Sequence, residues 1–124
     1  MNMIFHGLLG TLVSSGNPWF TLFSFLPDFD GISVLWGMDK FKKIHRGFFH
    51  SFFAGAILSI LTPAPLFAFL GYSFHILIDY TYGINPVSTF WPFTRRRFLL
   101  FQKDGFKIDL LFTVFVLGLL VVFR

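Results

Sequence analysis

Long apolar blocks, separated by short polar or turn-forming stretches, run along the whole chain. Residues 3–26 are apolar except for SSGNP at 14–18, a turn signal that predicts two short helices. The block from 48 to 82 is interrupted by TPAP at 62–65, and because proline disrupts a helix interior, it predicts a helical hairpin. Residues 108–123 form a closing apolar helix. The pattern predicts an all-α bundle of about five short helices.

Composition indicates where such a bundle lies. The chain has 124 residues, of which 55% are hydrophobic and 13% charged, and its mean hydropathy is +0.71. A soluble domain of this length cannot bury so much apolar surface, so we expect residues 1–124 to form a single integral membrane domain. The closing helix rises only about 24 Å at about 1.5 Å per residue, less than the roughly 30 Å of bilayer hydrocarbon. The first two helices are shorter still, so they either span a thinned bilayer or are re-entrant.

The distribution of basic residues predicts the orientation of the protein in the membrane. Most of the ten Lys and Arg residues lie in two polar segments, 26–47 and 83–107. The hairpin between them returns the chain to its starting side, so both segments share a face, which the positive-inside rule makes the cytoplasmic face of the cytoplasmic membrane. We expect these residues to contact anionic lipid rather than nucleic acid. The absence of cysteine excludes disulfides and thiolate–metal sites.

The histidines and several aspartates fall at helix ends that the predicted topology brings to this same face. His75 and Asp79 are four residues apart and share a helix face. Imidazole and carboxylate without sulfur suit Zn, Mn or Fe better than Ca, and we expect Zn first. The sequence therefore predicts a site for one or two divalent metals, with these candidate ligands: His6, Asp28, Asp30, His45, His50, His75 and Asp79.

Each motif alone has a plainer interpretation. PDFD at 27–30 is also typical of a turn with a helix cap, and HILID at 75–79 of a hydrogen-bonded pair inside a membrane. Arg46 either binds a phosphate or serves as a topology charge. Ser51 has no nucleophile-elbow motif around it and is interpreted as a hydroxyl that either supports a metal ligand or packs between helices. Two alternatives to an enzyme stay open: a structural metal site, and a hydrogen-bonded polar cluster in a scaffold protein.

Taken together, the motifs resemble a known family. An early His, then LPDFD, HRGFFHS and HILIDYTYGINPVSTFWPF, are similar to the YdjM family, small inner-membrane proteins regarded as metal-dependent hydrolases. HRG-x-x-HS, here residues 45–51, is the specific part. The pair Phe48 and Phe49 stands where a small polar residue is usual and makes the mouth of the site more apolar. The H-x-x-x-D helix is more distantly similar to the zinc-dependent phospholipase C and P1 nuclease group.

These observations combine into a hypothesis for function. His50, His75, Asp79 and one of Asp28 and Asp30 hold the metal, with His6 and His45 as further ligands. The other aspartate orients a water or takes its proton, and Arg46 pairs with a phosphate oxygen. Because the site lies at the membrane interface, the expected substrate is a phospholipid or another lipid-linked phosphate.

Overall fold

The computed structural model describes residues 3–37, 39, 47–83, 86–94, 96–97 and 99–102, together with several positions between 111 and 122. The elements are α1 (Met3–Val13), α2 (Pro18–Phe25), the 3-10 helices η1 (Leu26–Trp36) and η2 (Phe48–His50), α3 (Phe52–Ile60), α4 (Pro65–Thr81), β1 (Tyr82–Gly83) and β2 (Phe101–Gln102). The described positions from 111 to 122 are helical. The predicted all-α class is confirmed for these helices.

Both predicted hairpin turns are present. Asn17 begins α2 because its side-chain Oδ1 accepts hydrogen bonds from the backbone N–H groups of Trp19 and Phe20, each 3.1 Å long, and Pro18 occupies a position where a helix needs no N–H donor. Gly16 has φ +82°, a conformation that a side chain would strain, and this lets the chain reverse between α1 and α2. The second turn follows α3, where Pro65 begins α4.

One feature was not predicted. The two-residue strands β1 and β2 pair in parallel, with Tyr82 opposite Phe101 and Gly83 opposite Gln102. The backbone N–H of Leu100 also donates to the carbonyl of Tyr80 at 2.9 Å. A pairing this short between distant segments leaves no alternating hydrophobic pattern in the sequence, so periodicity cannot reveal it.

Helix α4 is the centre of the packing. Phe23 of α2, Ala54 of α3, and Ala68, Tyr72 and Ile76 of α4 form the buried hydrophobic core. Glycine permits a close crossing of α4 with α2, because a Cβ built on Gly71 would lie 2.1 Å from the carbonyl oxygen of Phe20. A similar contact brings α1 onto α2, where a Cβ at Gly10 would lie 2.3 Å from Ser24 Oγ. The backbones of α2 and α4 are therefore held unusually close.

The lengths of the helices bear on the membrane prediction. Among the residues that the structure describes, no helix combines the length and apolar character that crossing a bilayer requires. Among the helices whose first and last residues are given above, α4 is the longest, with 17 residues. Large apolar side chains are nevertheless exposed along these helices, for example Ile60 and Leu66.

Candidate metal centre

The predicted ligands meet at one end of the helical bundle. His6 lies near the start of α1, Asp28 and Asp30 follow α2 in η1, His50 ends η2 just before α3, and His75 and Asp79 lie near the end of α4. Antiparallel neighbours bring these helix ends together, as the sequence predicted. His45 and Arg46 lie outside the described residues.

Four of these side chains form a compact group. One donor atom from each of Asp28, His50, His75 and Asp79 can be chosen so that all four lie within 4.8 Å of one another. His50 Nε2 lies 3.6 Å from Asp28 Oδ1 and 3.5 Å from Asp79 Oδ2. His75 Nε2 lies 3.6 Å from each of the same two oxygens. Two imidazole nitrogens and two carboxylate oxygens thus surround one point.

These separations fit a shared cation better than direct hydrogen bonds. An N–H···O bond is about 2.7–3.2 Å long, so contacts of 3.5–3.6 Å are too long for good ones. The donor atoms of a tetrahedral zinc site lie about 3.4 Å from one another when each metal–ligand bond is about 2.0–2.1 Å. The four histidine–aspartate separations are therefore close to the spacing of ligands to one ion.

The orientation of His75 supports this interpretation. Its Nδ1 lies 2.7 Å from the backbone carbonyl oxygen of Ser24. Because a carbonyl only accepts hydrogen bonds, Nδ1 carries a proton, and in the neutral ring Nε2 presents its lone pair to the two carboxylates. Nε2 is buried and has no hydrogen-bond partner in the described part of the chain. A lone pair facing carboxylate oxygens is unfavourable unless a cation lies between them.

His50 is oriented in the same way by a different partner. Its Nδ1 lies 3.2 Å from Asp30 Oδ2, so the carboxylate lies directly beside this nitrogen. Metal-binding histidines typically donate their second N–H to a carboxylate or a carbonyl, which fixes the ring and its tautomer. Asp30 therefore lies behind His50 and outside the group of four.

The backbone around His50 is also held in place. The Tyr72 hydroxyl donates a hydrogen bond to the carbonyl of Phe49. Ser51 Oγ donates to the carbonyl of Phe48 at 2.6 Å and accepts from the backbone N–H of Ala54 at 3.2 Å. Ser51 is thus the N-cap of α3, in agreement with its predicted role as a helix-packing hydroxyl rather than a nucleophile.

His6 contacts the second carboxylate oxygen of both Asp28 and Asp79. Its Nδ1 lies 3.5 Å from Asp28 Oδ2, and its Nε2 lies 3.5 Å from Asp79 Oδ1. The ring stacks on His75 with centroids 3.8 Å apart. His6 is therefore adjacent to the group of four without belonging to it.

Burial and charge act together at this site. The side chains of His50, His75 and Asp79 are fully buried, whereas that of Asp28 is 11% exposed. Burial raises the pKa of Asp28, but the adjacent imidazoles of His50 and His6 outweigh burial and hold this pKa well below its ordinary value. For His50, burial lowers the pKa, yet the carboxylates of Asp28, Asp30 and Asp79 beside the ring raise it to about 10. The group favours ionised carboxylates and attracts positive charge.

The structure adds two groups that sequence reasoning missed. The carbonyl of Ser24 orients His75, and the Tyr72 hydroxyl holds the turn that carries His50. A backbone carbonyl leaves no sequence signal, and Tyr72 looks like any other residue of an apolar helix. Of the two aspartates left as alternatives, Asp28 lies in the group of four and Asp30 contacts His50 from outside it.

Fold and site together define a class: a small helical protein in which helix ends converge on a buried cluster of histidines and aspartates able to hold a metal ion. Comparison with protein families makes this more specific. The family model described as YdjM inner membrane protein matches residues 3–123, so the chain belongs to this family, and the resemblance seen in the motifs is confirmed. Comparisons with curated proteins and with solved structures each found no match.

Proposed function

We propose that this protein is a membrane-bound, metal-dependent hydrolase that acts on a phosphoester or another lipid-linked substrate. The observation that carries the proposal is the group of Asp28, His50, His75 and Asp79, whose donor atoms have the spacing of ligands around one cation. Nitrogen and oxygen donors favour Zn, with Mn and Fe as alternatives. A divalent metal held there would lower the pKa of a water and so supply a nucleophile at neutral pH.

The protein's own residues have distinct roles in this proposal. Asp28 is the partly exposed member of the group, and its Oδ2 has no hydrogen-bond partner among the described residues. This oxygen is therefore our candidate to orient the water by accepting a hydrogen bond from it. We assign Asp30, which lies beside Nδ1 of His50, the role of positioning that ring, and the carbonyl of Ser24 orients His75 by accepting a hydrogen bond from its Nδ1–H. Arg46, which lies outside the described residues, remains our candidate for binding a substrate phosphate.

The family is one of inner membrane proteins, and we propose that the helices are embedded in that membrane with the site at its cytoplasmic face. The basic residues of the two polar segments support this orientation by the positive-inside rule. Two of them, Arg96 and Arg97, are exposed in the structure.

One observation favours a second candidate, a structural metal site. Structural zinc sites are typically closed by four protein ligands, whereas catalytic ones keep a position for water. Four protein donors are available here, and three of their side chains are fully buried. In this alternative, the metal joins η1, η2 and α4 without hydrolysis.

Metal analysis of the detergent-purified protein tests the site. We expect stoichiometric metal in the wild type and its loss in both His50→Ala and Asp79→Ala. The matched control is Asp39→Ala, which removes an exposed carboxylate and should retain the metal. Retention of metal in both site variants would contradict the ligand assignment.

Hydrolysis separates the two candidate functions. The metal-loaded wild type is incubated with a panel of phospholipids and phosphoesters, beside protein treated with a chelator. The hydrolase proposal predicts product that depends on the metal and is lost in Asp28→Asn. Stoichiometric metal with no hydrolysis of any panel member would favour the structural site.

A further inference from the structure

A cluster of aromatic side chains lies at the end of the bundle that carries the metal centre. The rings of Phe48 and Trp91 are 5.0 Å apart, those of Phe53 and Trp91 are 6.1 Å apart, and those of Phe53 and Phe93 are 6.3 Å apart. Phe48, Phe53, Trp91 and Phe93 thus form a continuous surface, which we call the aromatic shelf. Trp91 connects its other members.

The shelf is exposed. Phe93 is 85% exposed, Phe53 38% and Phe48 37%. Exposed aromatic side chains in such a cluster mark a binding surface for an apolar partner, because leaving them in water is unfavourable. Tryptophan and other amphipathic rings are typical of the boundary between lipid headgroups and acyl chains.

The shelf is firmly connected to the metal centre. Phe48 lies two residues before His50 in η2, and its carbonyl accepts hydrogen bonds from both the N–H and the Oγ of Ser51. The backbone N–H of Phe52 donates to the carbonyl of Thr89 at 3.1 Å, which fixes the segment carrying Trp91 against the first turn of α3. A molecule bound to the shelf is therefore held beside the ligands of the metal.

Exposed positive charge follows the shelf in the chain. Arg96 and Arg97, both exposed, come three and four residues after Phe93. Guanidinium groups bind phosphate oxygens in a bidentate manner. Aromatic rings followed by arginines match a molecule with apolar chains and an anionic phosphate.

We propose that the aromatic shelf binds the acyl chains of a membrane phospholipid and so presents its phosphate headgroup to the metal centre. This inference rests on the proposed function and specifies its substrate class as a phospholipid bound from the bilayer. The occupant is a lipid rather than a second protein because the family is one of inner membrane proteins, and because two exposed arginines, whose side chains can bind phosphate, follow the exposed rings in the chain.

Fluorescence quenching tests the shelf directly. Trp91 is made the sole tryptophan by Trp19→Phe and Trp36→Phe, and the full-length protein in detergent is titrated with phosphatidylglycerol that carries brominated acyl chains. We expect saturable quenching of Trp91. Phe48→Ala and Phe93→Ala should each weaken the apparent affinity by about tenfold, the effect of losing the burial of about one Phe side chain.

The control is Phe67→Ala, which removes a Phe that is 46% exposed near the start of α4, at the opposite end of the bundle. It should leave the quenching curve unchanged. Non-saturable quenching, equal effects of the shelf and control variants, or a change in oligomeric state in place of a change in lipid affinity would overturn the proposal. Lipid binding and metal content are measured separately. If the aromatic shelf binds lipid but the protein binds no metal, the proposed function is refuted and lipid binding by the shelf is not.

Discussion

His50 and His75 direct Nε2 toward the same two carboxylates, and each ring has an acceptor group beside Nδ1. The partner is the Asp30 carboxylate for His50 and the Ser24 carbonyl for His75. The difference matters because a side chain can be substituted while a backbone carbonyl cannot. A substitution of Asp30 therefore tests the orientation of the His50 ring without removing a proposed metal ligand.

The variant Asp30→Asn keeps the size of the side chain but removes its negative charge. Loss of such an outer partner typically weakens metal binding by about 10–100-fold. We expect this decrease in affinity with unchanged stoichiometry, measured by competition with a chromophoric chelator. Asp39→Asn serves as the control with an exposed carboxylate. Complete loss of metal from Asp30→Asn would instead make Asp30 a direct ligand, as the sequence allowed.

The affinity for metal should also depend on pH. In the metal-free protein, burial lowers the pKa of His50, but the carboxylates of Asp28, Asp30 and Asp79 beside the ring raise it to about 10. A metal binds only the unprotonated nitrogen, so below this pKa the ion must displace a proton. We expect the affinity for Zn²⁺ to rise by about tenfold per pH unit between about pH 6 and 8, with release of a proton visible by calorimetry in buffers of different ionisation enthalpy. An affinity independent of pH would contradict the role of His50 as a ligand.

At the scale of elements, a close crossing of helices sets the position of the Ser24 carbonyl. Gly71 and His75 are one turn apart on α4, and Phe20 and Ser24 are one turn apart on α2. The backbone contact between Gly71 and Phe20 therefore lies one turn from the hydrogen bond between Ser24 and His75. Packing and site geometry are coupled through this pair of helices.

We expect Gly71→Ala to weaken both the fold and the site. The new Cβ would lie 2.1 Å from the carbonyl oxygen of Phe20, so α2 must move away from α4. Overpacking of this kind typically costs about 1–3 kcal/mol, which thermal unfolding in detergent would detect. Metal affinity should fall as well, because Ser24 moves with α2.

Gly118→Ala is the matched control for Gly71→Ala, since a Cβ at Gly118 would meet no atom of the described residues within 4 Å. It should change neither thermal stability nor metal affinity. Normal metal affinity in Gly71→Ala would show that His75 does not depend on the crossing.

Part of this arrangement was predictable from the sequence, and the reasons are local. His75 and Asp79 share a helix face because of their spacing, and the turns at 14–18 and 62–65 bring the other candidates to the same end. The division of roles between Asp28 and Asp30 was not predictable, since two residues in one turn differ only in where the 3-10 helix directs them. The contact at Gly71 depends on packing between distant segments, which sequence periodicity does not encode.

At the scale of the whole molecule, the candidate metal joins separate segments. Its ligands come from η1, η2 and α4, which are distant in sequence. An ion that binds only the folded state stabilises it by an amount that grows with the ratio of free ion to dissociation constant.

Removal of the metal should therefore lower the unfolding temperature. With free Zn²⁺ at about 100 times the dissociation constant, the stabilisation is about 3 kcal/mol. We expect chelation to remove it and added Zn²⁺ to restore it, as followed by thermal denaturation in detergent. The control is His50→Ala, whose unfolding temperature should respond to neither treatment. An equal response of this variant and the wild type would place the ion elsewhere.

The most direct measurement is X-ray absorption spectroscopy of the metal in the purified, full-length protein. If zinc is bound by Asp28, His50, His75 and Asp79, the spectrum should show a shell of nitrogen and oxygen atoms at about 2.0–2.1 Å from the metal. The spectrum should also contain outer-shell scattering from the imidazole rings, and this signal should be weaker in His75→Ala. A spectrum without imidazole scattering, or one unchanged in that variant, would contradict a metal centre at this cluster.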